Sequence, residues 1–305
     1  MTDKIRKIFE QNIHLMGNTD KAILYFREQQ YDKALSLVAN FMDEVKAVVE
    51  AIINDREYFE MVSTESVLEM LSGILKAKKN NDYILFADFL QLQLFSFLSR
   101  IQELIITKEK LIFDEERYQD NVLMLLHKGE GFPEDLKEPI DSEKLIETGY
   151  RVEYTSCGLM TLAAENEGVH FYFHTNGRVQ SEAFILARHW FKKDKKRYII
   201  YGFGMGYHII ELMRLAPKAA IEVYEGDSNI MQLACAFSDL KEIFKDNLVT
   251  LIYDPKLKLL EKRIEAINHE EEFLIHYPSL QNIRDHAAKK LLERAIPWSK
   301  IIENR

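Results

Sequence analysis

The sequence predicts an α/β protein in which an all-helical part precedes a parallel sheet, and three observations predict it. Breakers are nearly absent from the first 128 residues, which hold only Gly17 and Gly73 of the twelve glycines and none of the six prolines. Past residue 146 the hydrophobic period shortens from helical to strand-like. Finally, the stretch from Arg197 to Asp227 reads as strand, glycine loop, helix and second strand.

Taken in order, the N-terminal part yields six helices. Ile5, Ile8, Phe9, Ile13 and Met16 share one face of a first helix, which Gly17-Asn18 is expected to end, and a second starts behind Asn18 or Thr19. A third runs from about Asp32 with apolar residues at a period near 3.6, from Leu35 through Val38 and Val45 to Ile52. Ser63 or Thr64 caps a fourth, Asn81 or Asp82 caps a fifth reaching about Ile106, and a sixth covers about Lys108 to Leu126. Tyr31 to Leu35 faintly resembles a tetratricopeptide hairpin, but no fixed period repeats, so a plain bundle is expected. Its roles would be packing, oligomerising or docking a protein partner. The window Ile84 to Leu98 is too short for a membrane span and carries Asp88, Gln91 and Gln93, so it reads as a buried helix.

The glycine, proline and charge of residues 129–146 mark a linker. Tyr150 to Thr155, Leu159 to Ala163 and Val169 to His174 read as three short antiparallel strands, and Glu182 to Phe191 as a helix. The domains expected are a helical bundle over 1–128, a linker over 129–146, a small β element over 147–178 and a nucleoside-binding domain over 179–305.

The central unit carries the chemistry. Strand Tyr198 to Tyr201 enters a loop with Gly202, Gly204 and Gly206, and Tyr207 and His208 open the helix behind it. Strand Ile221 to Tyr224 ends on Glu225, 19 residues past Gly206. Glycine lets the main chain approach a ligand closely, and the helix N-terminus offers free N–H groups. An acid closing the second strand can accept both ribose hydroxyls. This is a Rossmann-like, methyltransferase-like pattern, and Gly-x-Gly-x-Gly fits S-adenosylmethionine or another nucleoside better than a strict NAD fingerprint. The alternative is a turn whose glycines only bend the chain and whose Glu225 is solvated. Further strands, Leu248 to Tyr253 and Glu272 to Ile275, bring Asp254 and His276-Tyr277-Pro278 to the carboxyl end of the sheet, where such folds present ligands; a helix from about Leu280 to Arg294 closes the order. Gly202, Gly204, Gly206, Tyr207, Glu225 and Asp254 are therefore the candidate cofactor contacts, Asp254 near the base. His174, Glu182, His276 and Tyr277 are the candidate substrate contacts, each with an ordinary structural alternative as a satisfied strand end, helix start or core aromatic. No Ser/His/Asp arrangement, His-x-x-x-His or acid pair emerges, so no catalytic residue and no metal site is named.

Composition excludes some functions. A net charge of −9 disfavours nucleic acid and anionic membrane, since counterion release needs clustered positive charge. The basic run Lys192 to Arg197 reads as a solvated helix end. Cys157 and Cys235 lack metal-ligand spacing and read as reduced thiols of a cytoplasmic protein, and no signal-peptide core opens the chain.

The runs FHTNGRVQSEAFILARHW, YIIYGFGMGYHIIELM, VYEGD and HYPSLQNIRD, within Tyr150 to Arg294, are similar to the N-terminal domain of the motility accessory factor glycosyltransferases and to the related 6-hydroxymethylpterin pyrophosphokinase family. The resemblance implies a Rossmann-like domain serving the addition of sialic-acid-like sugars to flagellin in the bacterial cytoplasm. The family's next domain carries a Gly-Pro-Ser-Leu-type nucleotide-sugar loop that does not occur here. The chain is therefore expected to be the N-terminal portion of a longer protein, or a stand-alone relative, and not catalytic alone. Its partners would be flagellin or a missing C-terminal transferase domain, met through the helical bundle. The ligand stays open between S-adenosylmethionine and a nucleotide or nucleotide-sugar. The element order is also similar to spermidine-synthase-type aminopropyltransferases, but those need a carboxylate after the fourth strand, where this chain has His276-Tyr277-Pro278. A methyltransferase, working mainly by positioning, and a degenerate Rossmann module kept for protein contacts complete the alternatives.

Overall fold

The computed structural model describes residues 2–109 and 114–295. The chain forms two compact units, the first comprising Met1–Ile112 with Tyr154–Leu159 and Gly177–Ser181, and the second Phe113–Glu153, Met160–Asn176 and Glu182–Arg305.

The first unit is helical. Helix α1 spans Asp3–Arg27 behind the Thr2 cap, α2 Tyr31–Asn54 and α3 Thr64–Lys79 behind Ser63. Helix α4, Tyr83–Asp88, capped by Asp82, runs through one π-helical turn, Phe89–Leu94, into α5, Phe95–Glu109. The stop expected at Gly17-Asn18 does not occur, and the first two expected helices are one. Gly17 lies mid-helix because a Cβ there would stand 2.8 Å from the Gln180 side chain, so this glycine admits a neighbour instead of ending a helix. Asn12 and Gln102, both fully buried, lock α1 to α5. Asn12 donates to Gln102 Oε1 at 2.9 Å and to the Leu98 carbonyl at 2.7 Å, and Gln102 donates to the Phe9 and Cys157 carbonyls. Asp20 pairs with Arg178 at 2.9 Å, and the guanidinium lies 4.2 Å from the centre of the Phe95 ring. The whole helical stretch Tyr83–Glu109 is long and apolar enough to cross a membrane by length and composition, unlike its most hydrophobic window alone. It buries Phe86, Leu90, Leu94, Leu98, Ile101 and Ile105.

The second unit opens with α6, Glu115–Lys128; residues 110–113 of the expected sixth helix lie outside the described residues. Tyr118, Val122 and Leu125 of α6 pack with Trp190, Ile200 and Val223, so this helix belongs to the sheet unit and not to the bundle. The expected linker is likewise built in. Glu130 pairs in parallel with Ile252, Phe132 stacks on Tyr253, Leu136 is fully buried, and α7 occupies Ser142–Thr148.

Strands β1 (Arg151–Tyr154), β2 (Met160–Asn166) and β3 (Val169–Tyr172) form the small sheet. Strands β2 and β3 are antiparallel, with Asn166 opposite Val169, and turn through Glu167-Gly168, both at positive φ as a two-residue hairpin demands. After α8 (Val179–Trp190) come β4 (Arg197–Tyr201), α9 (Tyr207–Leu215), β5 (Ala220–Glu225), α10 (Ser228–Phe237), α11 (Leu240–Phe244), β6 (Val249–Tyr253), α12 (Lys258–Glu265), β7 (Glu271–Ile275), α13 (Tyr277–Asn282) and α14 (His286–Ala295). The four-stranded sheet is parallel in the order β6-β5-β4-β7, a Rossmann-like half whose order reverses between β4 and β7. Alternate residues of β4 feed two cores, Tyr198 and Ile200 on one face, Ile199 and Tyr201 on the other. The single last helix expected from about Leu280 is two, because Ile283 to Asp285 break it and Asp285 caps α14 through the Ala287 and Ala288 N–H groups. Four of the five basic residues in the run Lys192 to Arg197 are paired. Lys192 and Lys195 meet Glu272, Lys196 meets Glu270, and Arg197 meets Glu222 at 3.0 Å.

Candidate functional site

The glycine turn lies where the sequence puts it, but protein side chains occupy the space its glycines free. Gly202 has φ +97° and Gly204 φ +52°, in the half of backbone space that L residues avoid. A Cβ on Gly202 would stand 2.3 Å from Cβ and Oγ of Ser279, and one on Gly204 would stand 2.9 Å from His174 Nε2. Gly206 faces Ile243 and Phe203 in the same way.

Glu225, 1% exposed, serves this turn. Its Oε2 accepts the Phe203 N–H at 2.9 Å, and its Oε1 accepts the N–H groups of Gly226 and Asp227 at 2.8 and 3.0 Å. Burial pushes the carboxyl up to about 7, against those three donors. Asp254 is also committed, capping α12 through the N–H groups of Lys258, Leu259 and Leu260. Tyr207 donates its hydroxyl to the Met160 carbonyl at 2.7 Å and packs edge-on against His174. Thus the three glycines, Tyr207, Glu225 and Asp254 gather at the carboxyl end of the sheet, with their polar groups directed into the fold.

Beside the turn lies a cleft of about 230 Å³ walled by Tyr201, Glu225, Asp227, Tyr253, Asn282 and Arg284, among others. Gly202, Gly204 and Gly206 are not among its walls. Asp227 caps α10 through the Asn229 N–H and accepts the Tyr150 hydroxyl at 2.6 Å, while Asn282 donates to the same hydroxyl oxygen at 2.5 Å. Burial and the Asp227 charge keep the Tyr150 phenol protonated. A second concavity, near Arg214 and Asp246, lies at the amino end of the sheet, away from where such folds present ligands.

The expected substrate residues divide. Tyr277 is 62% exposed. Glu182 Oε2 accepts the Thr175 N–H at 2.6 Å, and Oε1 lies 3.8 Å from His174 Nδ1. Burial raises the Glu182 carboxyl, but His174 and the Thr175 N–H outweigh it and hold the group below its ordinary value. His174 and His276 are buried, and His208 joins them. The His208 and His276 rings stack at 4.4 Å with 6° between planes, and His174 lies 4.9 Å from His276. Burial, then the neighbouring imidazoles, pushes His208 and His276 well below the ordinary histidine value, so both are neutral. His208 stands beside Tyr207 on the first turn of α9 and is not among the contacts expected from sequence. The available signal was that three of nine histidines follow a strand end or the glycine turn.

Fold and cleft together define a Rossmann-like α/β protein. No protein-family model matches the chain, and no curated protein matches it. Among solved structures, the crystal structure of MNMC2 from Aquifex aeolicus is similar at 18% identity over 57% of this chain, with a TM-score of 0.24. The matched part spans 59% of that chain.

Proposed function

We propose that the sheet unit binds a nucleoside-containing ligand in the cleft beside Glu225 and Asp227, as the nucleoside- or nucleotide-binding part of a cytoplasmic flagellin glycosylation protein of the motility accessory factor type, not catalytic alone. One observation carries the reading. Two of the segments that bear the resemblance, VYEGD and HYPSLQNIRD, are far apart in sequence yet contribute Glu225, Gly226, Asp227, Asn282, Ile283, Arg284 and Asp285 to one cleft. The cleft opens at the carboxyl ends of β4, β5 and β6, where open parallel sheets hold ligands. Ribose and base would lie against Asp227 and Tyr253, with Arg284 as the cationic contact.

A second reading, an S-adenosylmethionine-dependent transferase, draws support from charge. Asp227 and Asp285 outnumber Arg284 on the walls, which favours a sulfonium over a polyphosphate. The filled glycine turn supports a third, a Rossmann module kept for protein contacts. The helical unit's exposed Met61, Leu68, Leu75, Ile84 and Leu92 support a docking role toward flagellin or a transferase domain. Calorimetric titration with S-adenosylmethionine, ATP and a CMP-linked sugar separates these readings. Saturation by the CMP-sugar or ATP supports the first, saturation by S-adenosylmethionine the second, and silence toward all three the third.

A further inference from the structure

We propose that His174, His208 and His276 form a binding site for a late first-row transition cation, Zn²⁺ first among them, buried beneath the glycine turn. The ligands come from three places, the end of β3, the first turn of α9 and the end of β7, and none is more than 1% exposed. One ring nitrogen from each lies within 4.8 Å of the others.

Two of the rings are held by hydrogen bonds from outside the cluster, as metal-bound histidines usually are. His208 Nε2 lies 3.2 Å from the Gly202 carbonyl, which only accepts, so the proton sits on Nε2 and the lone pair on Nδ1. His276 Nδ1 lies 2.8 Å from Ser279 Oγ, leaving Nε2. His174 Nε2 accepts the Met205 N–H at a long 3.4 Å, a bond the ion would replace, and its Nδ1 lies 3.8 Å from Glu182 Oε1, beyond hydrogen-bond reach. A carbonyl and a hydroxyl thus hold His208 and His276 from outside, and the Glu182 carboxylate stands 3.8 Å from His174. Like His174 Nδ1, His208 Nδ1 and His276 Nε2 have no hydrogen-bond partner. Buried polar atoms left so are costly, and a cation would satisfy them together.

Three imidazole ligands suit zinc, copper or nickel and not magnesium or calcium, which take oxygen. A tetrahedral ion needs ligand nitrogens about 3.3 Å apart, so binding closes the gaps between the ring nitrogens by at most about 1.5 Å. The fourth position falls to a solvent molecule or a ligand group, since no fourth His, Cys, Asp or Glu joins the cluster among the described residues. So bound, the ion would tie β3, α9 and β7 together below the turn.

The test is a Co²⁺ titration of the chelator-treated full chain, with ion added both to the folded protein and during refolding from urea. One Co²⁺ per chain with the visible bands of a tetrahedral site, displaced by Zn²⁺, is expected. His276→Gln and His174→Gln should abolish the bands, and Ser279→Ala should weaken Zn²⁺ binding by about 10–100-fold. Replacing the exposed His170, His269 and His286 with Gln should change nothing. Absent bands under both protocols, bands that survive either cluster substitution, or bands that vanish with the exposed histidines would overturn the site. Should the cluster variants fail to fold by circular dichroism, the wild-type spectrum, the exposed-histidine variant and the Ser279→Ala affinity decide.

Discussion

Gly202→Ala tests the close fit of the glycine turn. Two terms add. Holding an L residue at φ +97° costs about 1–2 kcal/mol. The new methyl would also stand 2.3 Å from Cβ and Oγ of Ser279, a contact that real Cβ atoms essentially never make, so α13 or the turn must shift. Overpacking of this kind costs about 1–3 kcal/mol, which brings the expected loss to about 2–5 kcal/mol. Gly168→Ala is the internal control. It has φ +77° but nothing within 4 Å of the added Cβ, so it should lose about 1–2 kcal/mol from backbone strain alone. Urea denaturation of both variants reads the difference as a midpoint shift at constant slope. Ser279→Gly should recover part of the Gly202→Ala loss, because it removes the atoms in the way. A Gly202→Ala variant no less stable than Gly168→Ala would refute the filled-turn account.

Three further outcomes follow from charge and hydrogen bonding. The Glu225 carboxyl binds its proton up to about 7 in the folded chain against an ordinary 4.5, so the folded state holds more protons between those values; its contribution is full below 4.5 and is lost as pH rises to 7, by about 3 kcal/mol, and Glu225→Gln should flatten that part of the stability profile in urea melts at stepped pH. Burial likewise raises Asp20 from 3.8 to about 6 despite Arg178, so Asp20's contribution falls as pH rises through that window, and Arg178→Ala should destabilise the chain more at pH about 7.5 than at about 4.5, with equal losses contradicting the pairing. Asn12→Ala leaves the Leu98 carbonyl and Gln102 Oε1 without their donor, and thermal melts should register a loss of about 1–3 kcal/mol.

The strands and the turn were legible because β4 to β7 are short apolar runs punctuated by glycine, acid or proline, signals that depend on neighbours in sequence. Gly17 was misread for the complementary reason. Its meaning lies in Gln180, more than 160 positions away, and a glycine that admits a distant side chain looks the same in sequence as one that ends a helix. The linker reading of residues 129–146 failed similarly, since only the pairing of Glu130 with Ile252 and the burial of Leu136 show that a polar, proline-bearing run is packed. Among the candidate site residues, sequence identified the strand-end acids but not where their oxygens point. Glu225 at the end of a second strand has the same pattern whether it meets a ribose or the Phe203 N–H. Three histidines separated by 34 and 68 residues meet only because the sheet order brings the ends of β4 and β7 side by side.

Isothermal titration of the wild-type chain and of Arg284→Ala with S-adenosylmethionine, ATP and a CMP-linked sugar tests the cleft most directly. Arg284 is exposed on the cleft wall, so its loss should leave the fold intact. The cleft account predicts that one nucleoside-containing ligand saturates the wild-type chain one to one, and that the substitution weakens it about tenfold or more, equivalent to about 1.4 kcal/mol. No saturable heat with any of the three, or a ligand that binds the variant as tightly as the wild type, would contradict it.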